Sequence, residues 1–513
     1  MNLQQEKILK AMLDSGFYPE STDHVEFIET HISLVFLTGQ FAYKVKKSVN
    51  FGFLDFTELV KRKFYCEEEL RLNGRLAPDI YLDVIPITES QNKITLNGNG
   101  TVIEYAIKMK QFDQHGLLSN LVTENTLTIH HIIELAEVIA DFHQTINRIS
   151  PEQPFGDSDE ILKPVMHNFK LLKPIINDKQ LQTLHTIESA TQLLHQQLTN
   201  TFKDRKETGY IRECHGDLHL GNITLIDNKV TPFDGIEFND SFRWIDTMSE
   251  IAFLIMDLED HEKHIFASIF LNRYLETTGD YTGLKTLTYY KIYRAMVRAK
   301  VTGLRLQQIS SSSEEYRKDT EILNNYLNLA RQYCTTKPVS IIITHGISGS
   351  GKSWLANRLV TLLNGVIIHS DNERKRLYSG SVQNLYDQNI TDSVYNHLLD
   401  LTGTIIQSGY TTLVDATFLN ADYRKNFRKT AENLGVKFII LNCVASEELM
   451  KSRLLKRDRE KSSVSDADTH IMHKQLSSYK PLNDDELELT LTVDTGTNIK
   501  LDEIAHLIIT NNN

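Results

Sequence analysis

The sequence is poor in cysteine and has no long apolar run. Its four cysteines are spread over 513 residues without a C-x-x-C pair. A chain of this size needs no disulfides to hold a core, so we expect reduced thiols in a cytoplasmic protein. The N-terminus lacks the apolar segment of a signal peptide, and no apolar stretch reaches the roughly 18 residues that span a bilayer. These absences predict a soluble protein with no membrane partner.

Positive charge is also scarce. Lysine and arginine number 55 against 67 aspartates and glutamates, which gives a formal net charge of −12. This balance argues against a general nucleic-acid or anionic-membrane binder, although it allows a local basic pocket for phosphate. Small polar or cationic substrates fit the charge balance better.

The length predicts more than one domain. At 513 residues, two or three domains are expected, and a hydrophobic content of 41% suffices for their cores. The clearest boundary is the Thr-Thr-Lys-Pro segment at residues 335–338, where a helical pattern gives way to a strand pattern. We therefore predict one domain over residues 1–334, a linker over 335–338 and a second domain over 339–513.

The loop at residues 215–222, His-Gly-Asp-Leu-His-Leu-Gly-Asn, is typical of phosphotransferases. In the pattern H-x-D-x-x-x-x-N the aspartate, here Asp217, accepts the proton of a substrate hydroxyl, and the asparagine, Asn222, binds a nucleotide-bound metal. Two apolar runs within residues 223–233 flank Asp-Asn and predict a hairpin that returns Asp234 beside Asn222. Oxygen ligands from Asn222 and Asp234 are then expected to converge on Mg²⁺.

Two other interpretations of this loop stay open. His-x-Asp-x-His is also a pattern of transition-metal clusters, but it leaves the spacing of Asn222 and Asp234 unexplained, and further cysteine or histidine ligands are not arranged around it. The loop could also be an ordinary polar turn. Gly235 follows Asp234 directly where kinases have Asp-Phe-Gly, which puts a kinase-style activation switch in question.

A predicted hairpin near the N-terminus presents two lysines. Apolar runs at residues 32–37 and 41–45 flank Thr-Gly-Gln, and Phe-Ala-Tyr-Lys resembles the V-A-I-K strand whose lysine reaches the nucleotide phosphates. Lys44 is our first choice. Lys46 projects from the same strand face and is the alternative, while an exposed basic edge strand is the structural interpretation. Because no G-x-G-x-x-G precedes the strand, any loop over the phosphates must be short and built around Gly39.

The helix predicted over residues 58–76 offers Glu69 to orient the strand lysine, although acidic runs on helices are usually solvated. Beyond a strand predicted at 103–109 the pattern becomes helical. Helices are predicted over residues 129–149, 161–172 and 181–202. Asp246 could brace the catalytic loop by accepting backbone hydrogen bonds, or it could cap the helix that follows it.

The most specific motif follows a strand predicted at residues 339–344. Residues 346–353, Gly-Ile-Ser-Gly-Ser-Gly-Lys-Ser, match G-x-x-x-x-G-K-[ST] and open a helix, which is the context that a P-loop requires. Backbone N–H groups of such a loop wrap a phosphate, Lys352 reaches the β/γ-phosphates, and Ser353 presents its hydroxyl to Mg²⁺. The predicted nucleotide-binding residues are Gly346, Ser348, Gly349, Ser350, Gly351, Lys352 and Ser353.

Charged residues after the next strands complete the second predicted site. The carboxyl ends of strands line the crevice of an open α/β sheet, so Asp371 is placed to accept a proton from a substrate hydroxyl. Arg374 would clamp an anionic group, and Asp415 would bind the Mg²⁺ water shell as in a Walker-B strand. Arg453 and Arg457 would stabilise transferred charge as lid arginines that assist ATP binding. The simpler interpretations are a helix N-cap at Asp371 and a solvated charged face at the arginines.

Two families resemble this chain. Residues of about 25–330 resemble the aminoglycoside phosphotransferases through His215, Gly216, Asp217, Asn222 and Asp234. Residues 338–513 resemble small P-loop kinases of the gluconate kinase, chloramphenicol phosphotransferase, zeta-toxin and polynucleotide 5′-kinase group, through the P-loop, Ser370-Asp371-x-x-Arg374, Val414-Asp415-Ala416-Thr417 and the lid arginines. The tandem order resembles bacterial proteins labelled bifunctional aminoglycoside phosphotransferase/ATP-binding protein. The resemblance implies an α+β protein-kinase-like fold followed by an α/β P-loop NTPase with a parallel sheet.

From these motifs we predict a bifunctional kinase that uses ATP and Mg²⁺ and acts on small hydroxylated molecules. The alternative is a regulatory or toxin-related nucleotide sensor in which one domain does not transfer phosphate, and the missing glycine-rich loop supports it. A polynucleotide 5′-kinase would use the same P-loop chemistry, but the acidic balance argues against it. The sequence leaves open the phosphate acceptors, ATP against GTP, and the oligomeric state.

Overall fold

The structure, a computed structural model, describes residues 3–52, 54–378, 385, 387–460 and 469–510. The chain divides into two compact units. The first comprises Met1–His167 and Phe202–Asp257, and the second comprises Asn168–Thr201 and Leu258–Asn513. The boundary predicted at residues 335–338 falls inside the second unit, and as a limit between domains it stays a prediction.

A six-stranded antiparallel sheet lies in the first unit. Its strands are β1 (Glu26–Glu29), β2 (Ser33–Leu37), β3 (Phe41–Lys46), β4 (Tyr81–Ser90), β5 (Lys93–Leu96) and β6 (Thr101–Lys110). They are ordered β1-β2-β3-β6-β4-β5. The predicted β2–β3 hairpin and the predicted β6 strand are confirmed. The sequence did not indicate β4, because Pro86 and two shifts of register against β6 break its alternation.

Two helices cover opposite faces of this sheet. They are α1 (Leu3–Met12) and α2 (Leu59–Asn73). Because strand side chains alternate, Tyr43 and Val45 of β3 face the core that α1 closes. Lys44 and Lys46 face α2 instead. The position of β3 between β2 and β6 excludes the exposed edge strand.

The hairpin predicted within residues 223–233 is confirmed in the first unit. The short strands of this region are β7 (Ile211–Glu213), β8 (Ile223–Ile226), β9 (Lys229–Pro232) and β10 (Trp244–Asp246). Strands β8 and β9 are antiparallel. Asp227 and Asn228 join them with φ of 49° and 62°. Two left-handed residues in succession are the geometry of a tight hairpin turn, and Asp and Asn tolerate it well.

Residues 118–333 of the chain are largely helical. Its helices are α3 (Leu118–Thr123), α4 (Ile129–Thr145), α5 (Ser158–Leu172), α6 (Asp178–Glu207), α7 (Asp240–Arg243), α8 (Thr247–Asp260), α9 (His264–Thr278), α10 (Leu284–Leu306) and α11 (Glu314–Tyr333). The three helices predicted from apolar periodicity correspond to α4, α5 and α6. Across the described ranges, no helix has both the length and the apolar composition needed to cross a bilayer.

A five-stranded parallel sheet lies in the second unit. Its strands are β11 (Ser340–His345), β12 (Val366–His369), β13 (Thr412–Asp415), β14 (Lys437–Val444) and β15 (Thr490–Asp494). They are ordered β12-β13-β11-β14-β15. The helices around them are α12 (Lys352–Leu362), α13 (Ser370–Tyr378), α14 (Gln388–Gln407), α15 (Ala421–Leu434), α16 (Glu447–Glu460), α17 (Thr469–Ser478), α18 (Asp484–Leu487) and α19 (Leu501–Thr510). The predicted parallel α/β architecture is confirmed.

Candidate active sites

A lysine of β3 connects the N-terminal sheet to the catalytic hairpin. The Lys44 Nζ lies 2.7 Å from Glu69 Oε1 of α2 and 2.6 Å from Asp234 Oδ1 after β9. The pairing predicted between the strand lysine and Glu69 is therefore present. Burial opposes the charge on Lys44, but Asp234 and Glu69 outweigh it and raise the pKa of Lys44 well above its ordinary value.

Lys46 lies on the same strand face but is buried inside the unit. Its side chain is fully buried, and its Nζ lies 2.6 Å from Glu69 Oε2 and also contacts Glu237. Burial opposes ionisation of Glu69, yet Lys44 and Lys46 outweigh it and lower the pKa of Glu69 to about 2. Burial prevails at Glu237 and raises its pKa. Of the two lysines, Lys44 is the one in contact with Asp234.

The catalytic loop brings Asp217 and Asn222 together. Asn222 Nδ2 donates to Asp217 Oδ2 at 3.0 Å and to the Asp217 carbonyl at 3.1 Å. His219 Nε2 lies 3.5 Å from the same Oδ2. The Phe233 N–H donates to the Asn222 carbonyl at 2.9 Å, which fixes the start of the Asp234 segment against the loop. About a third of the Asp217 side chain is exposed, so a substrate hydroxyl has access to its carboxylate.

His215 has a structural role in this loop. Its Nε2 donates to the Phe233 carbonyl at 2.8 Å, and its Nδ1 accepts from the Asp217 N–H at 3.3 Å. Because a carbonyl only accepts, these two bonds define the tautomer. Both ring nitrogens are therefore used within the loop, which argues against His215 and His219 sharing a transition metal. The geometry favours the phosphotransferase interpretation of the His-x-Asp-x-His sequence.

Two acidic residues of α8 brace the loop and were missed from the sequence. Glu250 accepts the His215 N–H at 2.8 Å and the Gly216 N–H at 2.6 Å. Asp257, seven residues later on the same helix, accepts the Leu220 N–H at 2.8 Å. That spacing places both carboxylates on one helix face, a signal that the sequence contained. Burial opposes the charge on Glu250, but His143 and His215 outweigh it and lower its pKa to about 2.

The carboxylate of Asp246, by contrast, contacts the start of α8 and the side chain of Arg205. Its Oδ1 accepts the Met248 N–H at 2.9 Å, which is a helix cap at the start of α8. Both oxygens also lie 2.7 Å from the Arg205 guanidinium. Of the two roles that the sequence left open, the structure supports the cap.

The donor atoms of the first site fit Mg²⁺. Hard divalent cations prefer carboxylate and amide oxygens. Asn222 uses its Nδ2 on Asp217, which leaves its amide oxygen for a cation, and the Asp234 side chain is 44% exposed. Asp234 adopts φ of 60°, a conformation that directs this residue out of the β9 strand line. Asn222 and Asp234 are thus the residues that would hold the ion.

The second site is built at the carboxyl edge of the parallel sheet. The P-loop follows β11, Asp371 follows β12 by two residues and Asp415 ends β13. Because parallel strands end at one edge, these three elements meet there. They line a cavity of about 830 Å³ that also includes Lys352, Ser353 and Arg374.

Glycines let the P-loop backbone close against its neighbours. Gly349 has φ of 87°, and a Cβ on it would lie 2.8 Å from the Met450 carbonyl. A Cβ on Gly346 would lie 2.5 Å from the Cys443 carbonyl. Two further backbone groups of the loop are held by side chains: the Ser348 N–H donates to Gln475 at 2.9 Å, and the Ser350 carbonyl accepts from Thr495 at 2.7 Å.

The ionisable groups at the base of the cavity are strongly perturbed. Burial lowers the pKa of Lys352, whose Nζ donates to the Ile347 carbonyl at 3.0 Å. Burial opposes the charge on Asp415, but His369 at 2.9 Å outweighs it together with Ser353 and Lys352, and the pKa of Asp415 falls. The hydroxyl of Ser353 and the carboxylate of Asp415 are oxygen donors that fit Mg²⁺.

The three predicted arginines differ in their surroundings. Arg374 is buried, and its Nη1 donates to the Leu385 carbonyl at 3.0 Å. Arg453 donates to the Thr495 carbonyl at 2.7 Å and its Oγ1 at 2.8 Å, so it is bound next to the P-loop. Arg457 lines the cavity with Arg453. The structure therefore brings all three to the second site.

Comparison with known proteins finds a family match for one part of the chain. Residues 341–482 match the family described as AAA domain. A protein of Mycobacterium tuberculosis strain H37Rv, named as uncharacterized, is 27% identical over 450 residues, which are 84% of this chain and 86% of that protein.

Two solved structures illustrate the two regions. The ethanolamine kinase of Plasmodium vivax is 13% identical, with a TM-score of 0.37, over 65% of this chain and 91% of its own. The APS kinase of Mycobacterium tuberculosis, crystallised with AMPPNP and APS, is 23% identical, with a TM-score of 0.27, over 34% of this chain and 97% of its own. The fold assignment itself comes from the topology of the chain.

Proposed function

We propose that this protein is a bifunctional, ATP- and Mg²⁺-dependent phosphotransferase that acts on hydroxyl groups of small molecules. One observation carries the proposal: in each unit a lysine and a carboxylate suited to a metal belong to the same site. Lys44 contacts Asp234 at 2.6 Å. In the second unit the buried Lys352 and Asp415 line the same cavity. A cation beside oxygen ligands is the arrangement that holds the phosphates of a metal-bound nucleotide.

In the first site Asp217 is the base. Its carboxylate is oriented by Asn222 and accepts the proton of the attacking hydroxyl, while Lys44 positions the nucleotide phosphates. Glu69 orients Lys44, and Asn222 with Asp234 would hold Mg²⁺, which supplies neutralisation of phosphate charge. Glu250 keeps the loop in shape through the backbone of His215 and Gly216.

In the second site Asp371 is the base. The P-loop from Gly346 to Ser353 binds the phosphates, with Lys352 as the principal cation. Ser353 and Asp415 would hold Mg²⁺, and Arg453 and Arg457 stabilise the charge on the transferred group. His369 keeps Asp415 ionised through their 2.9 Å contact.

Transfer of labelled phosphate from ATP to a mixed panel of sugars, nucleosides, aminoglycosides and cell metabolites tests the proposal. Wild type is compared with Asp217→Asn and Lys352→Ala. We expect two classes of labelled product, one lost in each variant. A single class that persists in both variants, or bound ATP without any product, contradicts the proposal.

A nucleotide sensor is the second candidate for the first unit. The turn that would cover the phosphates consists of Thr38, Gly39 and Gln40, and the Gly39 N–H is already bound to Gln111 Oε1 at 2.8 Å. The turn is short and its Gly39 N–H already has a protein partner, and both features support a unit that binds ATP without transferring phosphate. The same assay separates the two candidates, since a sensor binds ATP with no product that depends on Asp217.

A further inference from the structure

Helix α9, which precedes the P-loop segment by more than 60 residues, contacts the edge of the parallel sheet. Strand β12 lies at the end of the strand order, so within the described part of the chain one side of its backbone has no neighbouring strand. The side chain of Asn272 takes that place. Its Nδ2 donates to the Gly365 carbonyl at 3.0 Å, and its Oδ1 accepts the Ile367 N–H at 2.9 Å.

One turn further along α9, Glu276 reaches the cavity of the second site. Its Oε2 lies 2.7 Å from Arg273 Nη1, and its Oε1 accepts from the side-chain amide of Asn372. Asn372 directly follows Asp371, the proposed base. The Glu276 side chain is 26% exposed, so its carboxylate is held in place yet open to the cavity.

We infer that Glu276 completes the acceptor end of the P-loop site, which takes a neutral or amino-bearing polyhydroxyl molecule with no anionic group there. The inference rests on the proposed function of this site. Each oxygen of an ionised carboxylate accepts more than one hydrogen bond, so Glu276 can accept from a substrate hydroxyl or ammonium while keeping its protein partners. Glu276 and Asp371 together repel an anionic group at this end of the cavity.

Three of the other cations that line the cavity make bonds to other groups, and Arg457 and Lys474 also line it. Lys352 and Arg453 lie at the P-loop, where they face the nucleotide phosphates. Arg374, for which the sequence predicts a clamp on an anionic group, donates to the Leu385 carbonyl and to Thr391, and we infer no anionic substrate group beside it. The acceptor end is therefore suited to hydrogen-bond donors. A 5′-phosphorylated or polyanionic acceptor fits it poorly, which separates this site from one built for nucleic-acid ends.

Matched sugars test the inference on the full chain. The probes are glucose, glucosamine and gluconate, with the corresponding neutral, amino and acid forms of galactose. Transfer is measured in an Asp217→Asn background, so that the first proposed site does not contribute. We expect neutral or amino sugars to be phosphorylated in preference to their acid partners.

The decisive variant is Glu276→Gln, which keeps an oxygen for Asn372 and removes the charge. We expect it to raise the KM for the preferred sugar about tenfold, since a hydrogen bond to a charged group is lost. The kcat and the KM for ATP stay unchanged, which a general loss of structure would not allow. Glu262→Gln, an exposed glutamate just before α9, is the matched control and is expected to leave all three constants unchanged.

The outcomes separate this inference from the proposed function. Preference for the acid sugars, or an unchanged acceptor KM in Glu276→Gln, overturns the inference and leaves the proposed phosphotransfer standing. Absence of transfer to every sugar and every other hydroxyl compound, while Lys352→Ala removes ATP binding at the second site, overturns both.

Discussion

The two candidate sites hold their lysines by different means. Lys44 is bound by the carboxylate of Asp234, which lies 190 residues away in the chain. Lys352 is bound by the carbonyl of Ile347, which lies only five residues away. The first site is therefore assembled from distant side chains, whereas the second is built by a local turn of the backbone.

This difference shifts the pKa values of the two lysines in opposite directions. In the first unit two carboxylates outweigh burial and raise the pKa of Lys44. In the second unit burial prevails and lowers the pKa of Lys352. The carboxylates of the protein thus stabilise the charged form of Lys44. The charged form of Lys352 would be stabilised mainly by the phosphate that binds beside it. The first site depends on a complete ion-pair network, and the second depends on the shape of its loop.

The largest expected effect comes from the base of the first site. Asp217→Asn should reduce kcat for the product of that site by about 10³-fold, because positioned proton acceptors contribute about 10²–10⁴-fold. Initial rates with saturating ATP measure it. Asp227→Asn in the turn of the same hairpin is the control, since Asn also tolerates the left-handed conformation there. An equal loss in both variants would point to damage of the hairpin rather than loss of a base.

The ion-pair network should dominate the stability of the first unit. Glu69→Gln leaves Lys44 and the fully buried Lys46 short of a counter-charge, and breaking a buried pair costs about 3–5 kcal/mol. Denaturant unfolding should show this loss. The control is Glu67→Gln on the same helix, whose side chain is 53% exposed and pairs with Lys63, and which should cost less than about 1 kcal/mol. Equal losses of unfolding free energy in the two variants would contradict a stabilising role for the buried ion pairs of Glu69.

Stability should also depend on pH through Glu250. Its pKa is lowered from 4.5 to about 2, so its contribution is complete above pH 4.5 and is lost as the pH falls towards 2. A shift of this size corresponds to roughly 3 kcal/mol. Glu250→Gln should therefore be less stable than wild type at pH 7, and the difference should narrow during acid unfolding. A difference that stays constant from pH 7 to 3 is evidence against the bond to the catalytic loop.

The smallest effect is expected where one hydroxyl supports the P-loop. Thr495 Oγ1 donates to the Ser350 carbonyl at 2.7 Å and accepts from Arg453 at 2.8 Å. Thr495→Val removes both bonds at nearly constant volume and should raise the KM for ATP about threefold to tenfold, as expected for one or two lost hydrogen bonds. The exposed Thr497→Val serves as the control. If both variants keep the wild-type KM for ATP, the supporting role of Thr495 at the P-loop is refuted.

The same contrast explains what the sequence could predict. The P-loop and its flanking strands are encoded within about 30 consecutive residues, so spacing alone indicated Lys352 and Ser353. Lys44 and Glu69 were accessible through strand alternation and through a known pairing of residue types. Glu237 was not, because its contact with Lys46 spans 191 residues and no local pattern marks it.

Other parts of the molecule were harder to predict from the sequence for physical reasons. Strand β4 contains Pro86 and lacks strict alternation, so it resembles a loop. Glu250 and Asp257 lie on a mostly buried helix, where acidic residues indicate a polar partner, but the partner is a backbone segment that only the fold identifies. Glu276 belongs to a helix that sequence order assigns to the other predicted domain. Its contact with the P-loop cavity depends on tertiary structure.

The number of nucleotides bound per chain tests the central claim most directly. Calorimetric titration with a non-hydrolysable ATP analogue and Mg²⁺ should give two sites in wild type and one in Lys352→Ala. The remaining site should be lost when Lys44→Ala is added to a chain that still unfolds cooperatively. A single site in wild type, or two sites that survive in Lys352→Ala, would contradict the account of two complete nucleotide sites on one chain.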